Sequence, residues 1–266
     1  MTLVALITGA TGAIGKAIAR QIAATGNYSL ILACRNEDRA QKAVRELISS
    51  TKNQNITYKI VDTSIHASIH SLAQSWNGPL HLLMNVAAQT PRKRTETPDG
   101  IEAQFATNVL GYYWMIKEFS PFLVSTAKSE NTQTRIVNVA SYWAGDIDLN
   151  DPQFVKRPYD NDHSYRQSKA FDRMLSAAFS EILKDQNVMV NSCHPGDVNS
   201  KLSNDLGFGG SESPDEGAAT PVYVATSEKL KNVTGKYFEH LHESTCKFSE
   251  NKENVNKLME LCASFP

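Results

Sequence analysis

The sequence has no excess charge of one sign: 27 basic against 28 acidic residues leave a formal net charge of −1. So balanced a chain has no field for holding a polyanion, and no nucleic-acid partner is expected. The run Arg92-Lys93-Arg94 is too short to reverse this and reads as a solvated loop. Cysteine is scarce too. Cys34, Cys193, Cys246 and Cys262 show no paired metal-ligand spacing, so reduced packing thiols and no metal are expected. No apolar stretch approaches the roughly 20 residues of a transmembrane helix, which argues against a membrane span. The first apolar run starts at residue 3, leaving no room ahead of it for a signal peptide. A soluble, cytoplasmic protein is expected. Repeats and domain linkers are also missing.

What is present is alternation. Short apolar runs at 3–8, 29–33, 56–61, 80–85, 135–139 and 188–193, with a last one near 236–239, read as strands. Most lack an in/out pattern, as strands covered on both faces should. Helical periods lie between them, including 15–24, with Ile14, Ile18 and Ile22 on one face, and 37–48 behind the potential cap Asn36. A chain of 266 residues permits one large α/β domain or two small ones. The alternation favours a single α/β domain: a doubly wound parallel sheet of about seven strands with helices on both faces. Polar stretches at 125–134, 142–162 and 199–214 read as loops, the last two long enough to be functional. Ser213-Pro214-Asp215-Glu216 reads as a helix start.

Between the first strand and helix lies Thr8-Gly9-Ala10-Thr11-Gly12-Ala13-Ile14-Gly15-Lys16. Glycines at such a turn let backbone approach a pyrophosphate, to which the helix N-terminus offers unpaired N–H donors. A tight turn that binds nothing is the plainer alternative, but strand, turn and helix occur in the order that dinucleotide binding requires. The second strand ends at Ala33-Cys34-Arg35-Asn36, where an adenosine ribose would lie. An acidic residue there would accept from the 2′-hydroxyl of NAD, whereas Arg35 suits the 2′-phosphate of NADP. NADP(H) is the expected cofactor, with NAD(H) kept as the alternative by nearby Asp38. Further along, Tyr165 and Lys169 stand four residues apart in His163-Ser164-Tyr165-Arg166-Gln167-Ser168-Lys169-Ala170. On a helix this spacing stacks a phenol and an ammonium on one face, where the cation favours the phenolate. The same spacing recurs on solvated helices, so its meaning depends on the rest of the chain.

Taken together, these residues resemble a short-chain dehydrogenase/reductase, closest to its retinol-dehydrogenase-like and WW-domain-oxidoreductase-like branch. Ala33-Cys34-Arg35, Thr97-Pro98-Asp99-Gly100, Asn108-Val109-Leu110-Gly111 and the terminal 254–262 helix carry the branch likeness, and the resemblance spans essentially the whole chain. It implies a single Rossmann domain with substrate-side loops near 142–162 and 199–213. It further implies a catalytic set of Asn108, Ser141, Tyr165 and Lys169. In that set Ser141 and Tyr165 serve the substrate oxygen, Lys169 the nicotinamide ribose, and Asn108 a water leading to the lysine. For the cofactor, the resemblance adds Asp62 and Thr63 on the adenine, and Asn85, Val86 and Ala87 beside the ribose. It also places Pro195, Gly196, Val198 and Ser200 against the nicotinamide, joining Gly9, Thr11, Gly12, Ala13, Ile14, Gly15, Arg35 and Asn36, and counts Tyr165 and Lys169 among the cofactor contacts as well. Singly, Asp62 reads as a helix cap, Asn108 as a backbone bridge and Ser141 as a strand end.

Three departures stand out. Ala13 replaces a glycine of the usual turn, Val86 and Ala88 replace an asparagine and a glycine, and Ser141 and Tyr165 are 165 − 141 = 24 positions apart, further than in many members. The resemblance implies hydride transfer between NADP(H) and a carbonyl or alcohol, acting as a reductase of an apolar or aromatic aldehyde or ketone. Tyr142, Trp143, His194 and Phe208 are candidate walls for such a substrate. A cofactor-binding regulatory or scaffold protein without turnover is the alternative, and either a monomer or a homodimer is compatible with the branch.

Overall fold

In the computed structural model, which describes residues 2–266, five strands alternate with helices from the start of the chain. They are β1 (Leu3–Thr8), β2 (Tyr28–Cys34), β3 (Ile56–Ile60), β4 (Leu82–Asn85) and β5 (Thr134–Val139). β6 (Val188–Cys193), β7 (Tyr237–Glu239) and β8 (His242–Ser244) complete one sheet in the order β3-β2-β1-β4-β5-β6-β7-β8. Every pairing is parallel except the last. The doubly wound architecture matches the expectation, and β8 is one strand more. It escapes a sequence reading because its hairpin turns on His240 and Leu241, both at positive φ (47° and 67°), with none of the Asn-Gly chemistry that usually announces such a turn.

The central strands read as apolar runs because each sends side chains into two cores. In β1, Leu6 packs on one face while Ala5 and Ile7 pack on the other; Leu83 against Leu82 and Met84 repeats the division in β4, and Ile136 against Val137 and Val139 in β5. One face is covered by α1 (Ala13–Ala24), α2 (Glu37–Thr51) and α7 (Pro214–Thr226). The other is covered by α3 (His66–Gln74), α4 (Gly111–Ser129), α5 (Asn161–Leu183) and α9 (Lys252–Ala263). The short helices α6 (Lys201–Asp205) and α8 (Lys247–Glu250) belong to connections. Capping follows the sequence signals: Asn36 accepts from Arg39 at the start of α2, and Ser213 and Glu216 form a reciprocal box around Pro214.

Two features place the site. The strand order reverses between β1 and β4, opening the crevice at the carboxyl ends of the strands where ligands of such sheets bind. Ahead of α4, residues Phe105–Leu110 form a π-helical turn, a distortion that is frequent at functional sites. No helix among the described residues is long and apolar enough to cross a membrane.

Candidate functional site

The glycine turn lies at the reversal of strand order. Gly9 has φ +65°, and a Cβ on it would meet the backbone of Ala87 at 2.8 Å, so the turn is pressed against the end of β4. Thr8 secures that contact: its hydroxyl accepts from the backbone N–H groups of Val86 (2.9 Å) and Ala87 (3.1 Å). This bond ties the segment on which Val86 and Ala88 depart from the family pattern. A Cβ on Gly15 would lie 2.3 Å from the Gly9 carbonyl oxygen, so α1 also approaches the turn too closely for a side chain. Gly12 caps α1, with no side-chain hydrogen bond to the first turn and no acidic residue there. The first-turn donors of α1 at Ala13, Ile14 and Gly15 therefore have no side-chain cap, which fits a pyrophosphate.

At the end of β2, Arg35 is largely exposed and lies 3.9 Å from an Asp62 carboxylate oxygen. The other Asp62 oxygen accepts from the Ser64 backbone N–H (3.0 Å) and hydroxyl (2.7 Å), so Asp62 organises its own loop as well as facing Arg35. The neighbouring Thr63 carbonyl is in the close packing of Gly111, whose Cβ would come within 2.5 Å of it. Asn36 is committed to capping α2. A second cation, not singled out from sequence, comes from the first turn of α2. Arg39 reaches the Thr11 carbonyl at 3.4 Å, which puts two guanidinium groups where one was expected. Asn85 points elsewhere: it is fully buried and donates to Asn138 (2.9 Å), which in turn donates to Ser176 (2.9 Å).

Ser141 follows β5, and α5 carries Tyr165 and Lys169. The 142–162 stretch ends where Asp160 caps α5 by accepting from His163 (2.9 Å). It is a folded loop, gathered by Asp151, whose carboxylate accepts backbone N–H groups of Val155, Lys156 and Arg157 at 2.7 to 3.1 Å. This loop accounts for the 24-residue interval and still returns Tyr165 to Ser141. Burial pushes the Tyr165 phenol up to about 12, a hydrogen bond with Ser141 works against the rise, and Asp172, Tyr142 and Asp162 add to it. Lys169 was expected to favour the phenolate. Its ammonium, however, donates to the Val139 carbonyl (3.0 Å) and the Asp172 carboxylate (2.8 Å), while the Tyr165 ring centroid is 5.9 Å away.

Asn108 sits in the π-helical turn, fully buried. Its amide accepts from the Gln89 backbone N–H (2.9 Å) and donates to the Gln89 carbonyl (3.1 Å) and the Ser168 hydroxyl (3.2 Å). It thus clamps the chain beyond β4 to α5, one residue from Lys169. Arg173, buried on the next turn of α5, donates to the Ser141 carbonyl, and its guanidinium lies 3.4 Å from the Tyr237 ring centroid. It pins the serine's backbone between β5 and β7. Asp172, Arg173 and Gln89 were not foreseen; Asp172 and Arg173 continue the i, i+3, i+4 stripe begun by Tyr165 and Lys169, which is the signal that would have found them.

On the substrate side, Gly196 has φ +109°, and the segment from Pro195 returns against the 199–213 loop through a bridge between Val198 and Glu212. Val198 is buried, and Ser200 caps α6 by accepting from Ser203 (3.2 Å). Tyr142 and His194 pack with ring centroids 4.5 Å apart, and Trp143 meets Phe208 at 4.2 Å. Burial, with smaller contributions from His240 and Arg173, pulls His194 down to about 3, so it is neutral. A cavity of about 400 Å³ opens beside these rings, lined by Tyr142, Trp143, Ala144, Asp162, Arg166 and Leu206. No group of three His, Cys, Asp or Glu side chains among the described residues could hold a metal ion.

A glycine cradle at the switch point of a doubly wound sheet, beside a buried Ser, Tyr and Lys, defines an α/β oxidoreductase. Comparison with known proteins narrows the class. The family model described as short chain dehydrogenase matches residues 3–207. A probable oxidoreductase of Streptomyces antibioticus is 31% identical over 261 residues, spanning 90% of this chain and 85% of that protein. Retinol dehydrogenase 13 of Mus musculus is 30% identical over 258 residues, spanning 90% of this chain and 75% of its own. The crystal structure of NADPH-bound carbonyl reductase from chicken fatty liver superposes with a TM-score of 0.67 at 25% identity, covering 90% of this chain and 96% of that one. The chain belongs to the short-chain dehydrogenase family, in its retinol-dehydrogenase-like branch.

Proposed function

We propose that this oxidoreductase is an NADP(H)-dependent carbonyl reductase acting on an apolar or aromatic aldehyde or ketone, the reverse oxidation using the same groups. The observation that carries the proposal is the meeting of Ser141 and Tyr165, with Lys169 one turn behind and the Tyr142 and Trp143 rings following Ser141 in the chain. The relatives named above, an oxidoreductase, a retinol dehydrogenase and an NADPH-bound carbonyl reductase, support it. When bound, the nicotinamide supplies the hydride. Tyr165 gives the substrate oxygen its proton, and Ser141 donates a hydrogen bond to the same oxygen as negative charge develops there. Asn108 holds the backbone beyond β4 so that the site keeps its shape. The residues that would hold the cofactor are the Gly9 to Gly15 turn, Arg35 and Arg39 at the adenosine end, and the Pro195 to Ser200 segment on the substrate side. Tyr142 and Trp143, with Phe208 packed on Trp143, offer aromatic faces to a substrate, which is why an aromatic or apolar carbonyl is favoured, while Asp162 and Arg166 add charge to the lining of the cavity beside them.

The test is oxidation of NADPH in the presence of a panel of aldehydes, ketones and quinones; no turnover with any of them overturns the proposal. Cofactor choice has a separate test. A hydrogen bond between charged groups contributes about 1.5–3 kcal/mol, and about 1.4 kcal/mol is tenfold in affinity. Arg35→Asp should therefore raise the Kd of NADPH by roughly ten- to a hundredfold and leave that of NADH nearly unchanged, as read by fluorescence titration. An equal loss for both cofactors would remove the 2′-phosphate role from Arg35.

A further inference from the structure

Asp172 is fully buried. One carboxylate oxygen lies 2.8 Å from the Lys169 ammonium, and the other has no hydrogen-bond partner among the described residues. Such burial is expensive: one ammonium offsets the desolvation of a carboxylate only in part, and an orphaned oxygen adds to the cost. Around it on α5 stand buried apolar residues, Ala170, Phe171, Met174 and Leu175, and buried polar ones, Ser168, Arg173 and Ser176. Ser168 and Ser176 donate to the Tyr165 and Asp172 carbonyls and Arg173 to the Ser141 carbonyl, so none of them meets the second Asp172 oxygen.

Its surroundings narrow what the charge can do. The titratable groups that feel Asp172 are Lys169 and Tyr165 on α5, Tyr112 on α4 and Cys262 on α9, while Cys193 on β6 feels Lys169. Of these only Lys169 is cationic; the neighbouring cation Arg173 is committed to the Ser141 carbonyl, and Tyr165 also feels Tyr142 and Asp162. Tyr112, whose ring centroid is 5.0 Å from the ammonium, donates its hydroxyl to the same Val139 carbonyl that Lys169 uses. The ammonium is thus fixed between a carbonyl and a carboxylate, with one donor left.

We propose that Asp172 is a positioning residue for the proton-transfer pair: its carboxylate holds the Lys169 ammonium against the Val139 carbonyl and opposes its field at Tyr165, setting how far the site favours tyrosinate. This role rests on reading Tyr165 as the proton donor. The two functions of the carboxylate separate in Asp172→Asn, whose amide oxygen still accepts from Lys169 but carries no charge. The field of Lys169 on Tyr165 is then unopposed, and Tyr165 should ionise about one pH unit lower. Where turnover is measurable, the pH profile of alcohol oxidation moves to lower pH by the same amount, while KM for NADP+ stays put because the lysine is still held.

The decisive readout needs no catalysis. Protein carrying ring-labelled tyrosine is titrated by nuclear magnetic resonance, free and with NADP+ added, in the wild type and in Asp172→Asn, with Tyr165→Phe spectra assigning the signal. A downward shift of the Tyr165 titration supports the role; coincident titrations overturn it, even if both proteins turn over. A shift in proteins that reduce nothing on the panel leaves the role of Asp172 standing and removes the catalytic reading instead. Should the Asn variant lose its cooperative thermal transition, Asp172→Ser takes its place. Loss of folding in both variants assigns Asp172 to stability alone and overturns the inference.

Discussion

Replacing Tyr165 by Phe should lower turnover in carbonyl reduction by about a hundredfold to ten-thousandfold, the span that a positioned proton donor contributes. Affinity for NADPH should barely change. The phenol is buried, the ring keeps its packing, and the hydroxyl loses only its bond with Ser141. A fall in kcat with KM for NADPH preserved therefore reports the proton and not the fold. The pH dependence follows with its sign. In the cofactor-free protein burial pushes Tyr165 up to about 12, so the phenol stays protonated through the neutral range and is always ready to donate. Reduction should thus be nearly flat between about pH 6 and 8, whereas oxidation needs the phenolate and should rise with pH by about tenfold per unit until the tyrosine titrates. Positive charge on the oxidised nicotinamide moves that limb downward without reversing it. Unchanged turnover in the Phe variant, or an oxidation rate that falls as pH rises, would dismiss Tyr165 as the proton carrier.

Legibility from sequence was uneven, and the pattern has physical causes. The parallel strands announced themselves because both faces of the sheet are covered, so Leu6, Leu83 and Ile136 on one side and Ile7, Met84 and Val137 on the other merge into apolar runs. β8 did not, since its turn at His240 and Leu241 takes a backbone conformation those residues rarely adopt. Local chemistry was readable wherever a short segment completes it: Asn36 on Arg39, or the Ser213 and Glu216 box. Long-range pairing was not. Nothing near Lys169 in the sequence says that its ammonium is held by Val139, thirty positions earlier, and the clamp of Asn108 on Gln89 is created by the π-helical turn. Arg39 gives no sequence signal because it lies on the helix after the expected ribose contact, and only the fold brings that helix's first turn back to Thr11.

The glycines of the first turn should prove unequal, with Gly15 costly to replace and Gly12 cheap. A Cβ there meets the Gly9 carbonyl oxygen at 2.3 Å and its carbon at 2.8 Å, both backbone atoms that move only with the turn itself. Gly9 has no room to yield, because it is held against Ala87 on the other side. Overpacking of this kind costs about 1–3 kcal/mol. For a chain this size each kcal/mol lowers Tm by roughly 2–4 °C, so Gly15→Ala should melt about 5 °C below the wild type and lose cofactor affinity together with stability. Gly12→Ala separates the two effects. Its φ of −80° suits alanine, and its Cβ stands 3.3 Å from the same carbonyl, a contact relieved by a few tenths of an ångström. Its melting temperature should stay close to the wild type. The added methyl nevertheless enters the space where α1 offers its uncapped donors, so the Kd of NADPH should rise by about tenfold or more, as expected when backbone is kept from a pyrophosphate. Equal melting temperatures for all three proteins would mean that α1 does not press on the turn. Unchanged NADPH affinity in Gly12→Ala would mean that the cradle at the end of β1 is a tight turn and not a phosphate site.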